Sequence, residues 1–273
     1  MNELELSAGT LQYVDRGPGP VVVLLHGLLM DASLWDDVIA DLSADHRCLA
    51  PTLPFGAHRL PMDADLSLPG IARLVVEFLD RLDLQDVVLV GNDTGGAVVQ
   101  LVLRDDPKRV GRAVLASCEA FDNLPPGLTG RTLALSGKLP PALFGAFMQQ
   151  LRVKAIRRSP LAFGTLTKRG DTTTARWIRP VLEQPEIRAE TVRMLRAVFA
   201  DRRVLDEAAP DLARFDRPAL VVWAADDRVM PLDHGRRLAE LLPQAELALV
   251  EDSYTLIPLD QPARFAELIR RFT

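Results

Sequence analysis

The apolar positions of this chain change their spacing in a regular order. Glu3–Ser7 and Thr10–Asp15 alternate apolar and polar residues around Ala8-Gly9, which predicts a β-hairpin. After Gly17-Pro18-Gly19-Pro20, the run VVVLL (Val21–Leu25) is wholly apolar and of strand length. Asp31 offers an N-cap for a helix carrying Leu34, Trp35, Val38 and Leu42, and RCLA (Arg47–Ala50) is a second short apolar strand. Behind Ser67 and Pro69, the residues Ile71, Leu74, Val75, Phe78, Leu79 and Leu82 recur at helical spacing. VVLVG (Val87–Gly91) then predicts a strand, Val98, Val99 and Val102 a helix, and Val110–Cys118 another strand.

That rhythm stops near residue 121. Up to about residue 210 the chain holds Pro125-Pro126, Pro140-Pro141, Pro180 and Pro185 among helical stretches, with no convincing strand. Alternation resumes with ALVVWA (Ala219–Ala224), a helix near His234–Leu242, ELALV (Glu246–Val250) and a last helix from Pro262. Strands alternating with helices predict an α/β fold with a parallel sheet covered on both faces. The interruption predicts a helical cap over 121–210, placed where loops leave the sheet's C-terminal edge and flanked by core segments 1–120 and 211–273.

Composition adds exclusions. The 273 residues suffice for one large domain, and 48% apolar with 25% charged residues is ordinary globular usage. A net charge of −5 gives no electrostatic support for nucleic-acid binding. No apolar run reaches bilayer length, and the start, MNELELSAGT, lacks a basic n-region followed by an apolar stretch. Two cysteines, Cys48 and Cys118, support neither a disulfide framework nor a zinc cluster. The expectation is a cytoplasmic monomer or homodimer with a small-molecule substrate, no metal, no cofactor and no membrane or nucleic-acid partner. Charge is uneven: Phe121–Leu205 carries 15 Lys/Arg against 6 Asp/Glu, read as solvated helix faces on an otherwise acidic chain.

The candidate chemistry lies in VVLVGNDTGGAVVQ (Val87–Gln100). A buried strand, a tight turn flanked by small residues and a helix make a nucleophile-elbow pattern, with Asp93 at the tip. A dinucleotide loop would need Gly-x-Gly-x-x-Gly, and a carboxylate at the tip would repel a pyrophosphate. The plainer alternative is that Asp93 only caps the helix behind it.

With these residues in view, the chain resembles the α/β-hydrolase superfamily over nearly its full length. An Asp at the elbow is similar to the branch of haloalkane dehalogenases, fluoroacetate dehalogenases and epoxide hydrolases. The resemblance implies an eight-stranded, mostly parallel sheet with a helical cap. LLHGLLMDASLW (Leu24–Trp35) resembles the family's oxyanion loop, which puts oxyanion-hole N–H groups on Leu28 and Thr94. ADDRVMP (Ala225–Pro231) resembles the segment holding the family's acid, which puts that role on Asp227; SCEAF (Ser117–Phe121) offers Glu119 as the alternative. Trp35, Trp177 and Tyr254 are expected at the substrate pocket.

The family's base departs from this pattern. EDSYTLIPLDQPARF (Glu251–Phe265) aligns Thr255 with the catalytic His, and Thr is not a general base near neutral pH. Among the histidines, His26 is expected to be structural, His46 lies at the wrong sheet edge, His234 is expected as a surface cap residue, and His58 is the one possible alternative base. Thr94 and Leu28 replace the halide-binding Trp and Asn of many dehalogenases, and no tyrosine falls in the cap. Three readings remain: a hydrolase with Asp93 as nucleophile or acid/base, a non-hydrolytic lyase, isomerase or cyclase with Asp93 as proton shuttle, and a catalytically impaired binding protein. Three carboxylates sharing a pocket without an imidazolium should raise at least one pKa.

Overall fold

The computed structural model describes residues 1–273. Eight strands form one sheet: β1 (Asn2–Leu6), β2 (Gly9–Arg16), β3 (Val21–Leu25), β4 (Arg47–Pro51), β5 (Val87–Asn92), β6 (Val110–Ala116), β7 (Ala219–Ala224) and β8 (Ala245–Val250). Their spatial order is β1-β2-β4-β3-β5-β6-β7-β8. β2 runs antiparallel to both β1 and β4, and every other pairing is parallel.

The two central apolar runs explain the order. VVLVGN and ALVVWA are buried at every position, which only a strand covered on both faces requires. Helices α1 (Asp36–Leu42), α2 (Leu68–Arg81) and α3 (Thr94–Asp105) supply part of that cover. Ser67 caps α2 by accepting from the Gly70 N–H at 3.1 Å, as its position before the periodic run predicts. Asp31 caps as expected, accepting from the Ser33 N–H, but it opens a short 3₁₀ turn (Ala32–Trp35) rather than α1 itself. Between β6 and β7 the chain is wholly helical, beginning with α4 (Gly127–Ser136) and α5 (Pro141–Gln149) and including the helix Pro185–Val198.

From β3 the chain crosses to β4 on one side and then to β5 on the other. The loops after β3 and β5 therefore face each other over the sheet's C-terminal edge, the usual site of a binding crevice. The ends of β5, β6 and β7 follow in neighbouring positions.

The turn after β5 is backbone-limited. Asp93 has φ 54° and ψ −134°, outside the helical region. A Cβ on Gly95 would collide with the Leu25 carbonyl, and one on Gly91 with the Gly95 backbone. The small flanks let β5, the turn and α3 approach this closely. Gly95→Ala should therefore destabilise the fold by about 1–3 kcal/mol, read as a lower urea midpoint at unchanged m value.

Candidate active site

Asp93, Glu119 and Asp227 follow the C-terminal ends of β5, β6 and β7, and Leu28 follows β3. A cavity of about 80 Å³ lies between this edge and the helical segment. Leu28, Leu29, Asp93, Thr94 and Glu119 line its floor, while α4, α5 and Phe163 give mostly apolar walls. Asp227 and Thr255 do not line it.

Asp93 does not cap α3, because its side chain makes no capping bond. The Thr94 hydroxyl stands 3.5 Å from Asp93 Oδ2, and the nearby backbone N–H groups of Thr94 and Leu28 favour the ionised form of Asp93. Leu28 and Thr94, whose amides are expected to form an oxyanion hole, line the same cavity as Asp93. Gly27 makes room for the Asp93 side chain, since a Cβ there would strike the carboxylate. Burial outweighs these donors and pushes the Asp93 pKa up to about 7, with the Asp227 charge adding to the rise.

Glu119 is fully buried. The Thr94 hydroxyl donates to Glu119 Oε1 at 2.8 Å and stands 3.5 Å from Asp93 Oδ2, so one hydroxyl lies between two carboxyls. Glu119 Oε2 has no partner. Burial first, and then the nearby Asp93 charge, raise the Glu119 pKa well above its usual range.

At the family's histidine position the Thr255 hydroxyl donates to Asp227 Oδ1 at 2.9 Å. The same oxygen accepts from the Val229 and Met230 N–H groups, and Asp227 Oδ2 is buried and unpartnered. Burial raises the Asp227 pKa, and these N–H donors oppose the rise. Asn92, a residue with no local motif to mark it, donates to the carbonyls of Ala116 at 2.9 Å and Thr255 at 2.8 Å. It ties the elbow strand to the Thr255 loop.

No histidine reaches Asp93. His58 lies 3.2 Å from Glu190 Oε1, and its Nδ1 accepts from the Gly56 N–H at 3.2 Å, so it turns toward the helical segment. Glu190 also accepts the Met62 N–H at 3.1 Å. His26 accepts the Leu53 N–H at 2.9 Å, and burial lowers its pKa to about 4, which fits the structural role expected of it. His46 bonds Asp45 and Thr273. His234 is not a surface residue: it is buried, edge-on to Phe121, with its pKa lowered by burial.

The three aromatic residues expected at the pocket lie elsewhere. Trp35 is fully buried against Phe265. Trp177 donates through Nε1 to Asp31 at 3.0 Å and Ser33 at 2.9 Å, standing behind Phe163, which does line the cavity. Tyr254 lies beneath the cations of Arg228 and Lys168, outside the cavity. That contact also occupies Arg228, which therefore does not offset the buried acids.

Two outcomes follow. Glu190→Ala should cost about 1–3 kcal/mol, because it leaves the buried Met62 N–H without its acceptor; chemical denaturation measures it. The second concerns pH. A carboxyl whose pKa rises on folding binds more protons in the native state, so stability falls as pH climbs from its ordinary 3.8 to about 7. Wild-type protein should lose this contribution between about pH 4 and pH 7, and Asp93→Asn should lose measurably less in paired urea melts.

Comparison with known proteins agrees with this architecture. The family model for the α/β hydrolase fold matches residues 20–262. Haloalkane dehalogenase 2 of Mycobacterium tuberculosis is 27% identical over 273 residues, covering 97% of this chain and 92% of that protein. The 2-hydroxy-6-oxo-6-phenylhexa-2,4-dienoate hydrolase of Burkholderia cepacia is 27% identical over 262 residues, covering 90% and 85%. Among solved structures, an α/β hydrolase fold protein from Burkholderia ambifaria superposes with a TM-score of 0.80 at 24% identity, covering 98% of this chain and 96% of that one. The elbow at Asp93, the sheet order and this match together place the chain in the α/β-hydrolase fold family.

Proposed function

We propose that this protein is an enzyme acting on a small, apolar organic molecule, with Asp93 as a general acid/base rather than an ester-forming nucleophile. The observation that carries the reading is the Thr255 hydroxyl on Asp227 at 2.9 Å. The position that would hold a water-activating imidazole offers only a hydroxyl that already donates to an acid. Hydrolysis of an enzyme ester needs a base there. Proton transfer by Asp93 alone does not.

Asp93 suits that task. A general base works best with a pKa near the working pH, and burial places this one at about 7. The Leu28 and Thr94 N–H groups favour the ionised form, so the group is poised between its two states. In the proposed cycle, the Asp93 carboxylate accepts a proton from substrate carbon or oxygen. The resulting Asp93 acid returns it at another atom, which is an isomerisation, or a leaving group departs, which is an elimination. The apolar walls keep bulk water from competing for the proton.

A second reading has one observation in its favour. Two nearby backbone N–H groups favour the ionised form of Asp93, an arrangement that suits a carboxylate attacking an alkyl carbon. With Thr255 in place of the base, such an ester would persist.

Two measurements separate the readings. Small ketones incubated with the protein in D₂O should gain deuterium beside the carbonyl, at a rate that rises through pH about 7 and is abolished in Asp93→Asn. No protein-dependent exchange, or exchange that survives the substitution, contradicts the acid/base reading. Intact mass after incubation with haloalkanes and haloacids should stay unchanged; a stable alkyl adduct on Asp93 establishes the nucleophile instead.

A further inference from the structure

We propose that Glu119 contacts the ligand directly, as a neutral acid donating a hydrogen bond from Oε2 to the carbonyl oxygen of a small uncharged compound bound beside Asp93. This rests on the preceding reading in taking the cavity at Asp93 as the substrate site.

Most hydroxyl groups lining the cavity are engaged. The Thr94 hydroxyl donates to Glu119 Oε1 at 2.8 Å. The Thr129 hydroxyl donates to the Pro160 carbonyl at 3.0 Å, and the Thr132 hydroxyl to the Leu128 carbonyl at 2.9 Å. Glu119 Oε2 remains: it is buried, it has no partner, and its residue faces the cavity. A buried polar atom left unpaired costs free energy that a ligand atom can recover.

Geometry also assigns the proton. Oε1 accepts from Thr94, so in the neutral acid Oε2 is the oxygen free to donate. No Lys, Arg or His lies among the lining residues, and no cation pairs with Glu119. The charged group nearest in influence is Asp93, of the same sign, which together with burial favours the neutral form.

The class of ligand follows. The lining has no side-chain N–H of Trp, Asn or Gln and no basic group, so no cation offsets the charge of a bound carboxylate or a departing halide. One neutral O–H donor beside one carboxylate, within hydrocarbon walls, suits a neutral carbonyl compound. The two groups then act in one balanced step. Asp93 takes the proton from the carbon next to the carbonyl, the C–H electron pair forms the new C=C bond, and the C=O π pair moves onto the oxygen held by Glu119. The product of this step is the enolate, hydrogen-bonded to the still-protonated Glu119, with the abstracted proton now on Asp93; no water and no further reactant is needed.

Cyclopentanone serves as the probe, read by the infrared carbonyl stretch of the bound ketone and by its affinity. The stretch should shift to lower wavenumber in wild-type protein and in Glu119→Gln, whose amide N–H replaces the acid O–H. It should return to the apolar-solvent position in Glu119→Leu, with binding about tenfold weaker. Cyclopentanecarboxylate should bind more weakly than cyclopentanone to wild-type protein. An unshifted band in wild type, an equal shift in Glu119→Leu, absent ketone binding or tighter binding of the carboxylate overturns the proposal. The two readings fail separately. A shifted band without Asp93-dependent exchange removes the acid/base function alone, whereas exchange with an unshifted band removes only the role of Glu119.

Discussion

The site depends on one conflict: a carboxylate buried at a strained turn, stabilised by two backbone N–H groups and opposed by the loss of water. Burial is the stronger of the two, and the pKa settles at about 7. The Leu28 and Thr94 amides favour the ionised form of Asp93, while burial and the Asp227 charge favour the proton. A carboxyl in this balance changes state near neutral pH, which an exposed Asp does not. Much of the local structure serves to maintain it. Gly27 leaves space for the carboxylate, Gly91 and Gly95 permit the turn, and Asn92 fastens the turn to the neighbouring loop.

The second constraint is that the acids share a region without a compensating cation. In a site with an imidazolium, the Asp227 position would orient a charged partner. Here Thr255 gives it only a hydroxyl, and Arg228 is drawn to Tyr254. The like charges therefore resolve by protonation rather than by pairing. Glu119, fully buried and in contact with the Thr94 hydroxyl, is pushed toward the neutral state by burial and by the Asp93 charge. A neutral acid and a poised carboxylate, side by side in an apolar cavity, are suited to moving protons.

Much of this was legible in the sequence, and what was not has a common cause. The runs VVLVG and ALVVWA lie in buried central strands because strands covered on both faces need uninterrupted apolar residues. The strand, tight turn and helix around Asp93 were readable because small residues around a polar tip are a local signature. The failures involve partners distant in sequence. Trp177 looked like a pocket residue, but its N–H goes to Asp31 and Ser33 far earlier in the chain. His58 was the possible base until the structure placed it against Glu190, on the helix Pro185–Val198. His234 fills a buried site beside Phe121. Local pattern placed Leu28 and Thr94 beside Asp93, but only the fold shows the Thr94 hydroxyl lying between Asp93 and Glu119.

The most direct test of this account is the titration of Asp93 itself. Protein carrying ¹³C-labelled aspartate, with the Asp93 carboxyl signal assigned by its loss in Asp93→Asn, reports ionisation without any substrate. A midpoint near pH 7 is the predicted result. A midpoint in the ordinary carboxylate range, near 3.8, would mean that the N–H donors outweigh burial, and would contradict a proton-transfer role for this group at neutral pH.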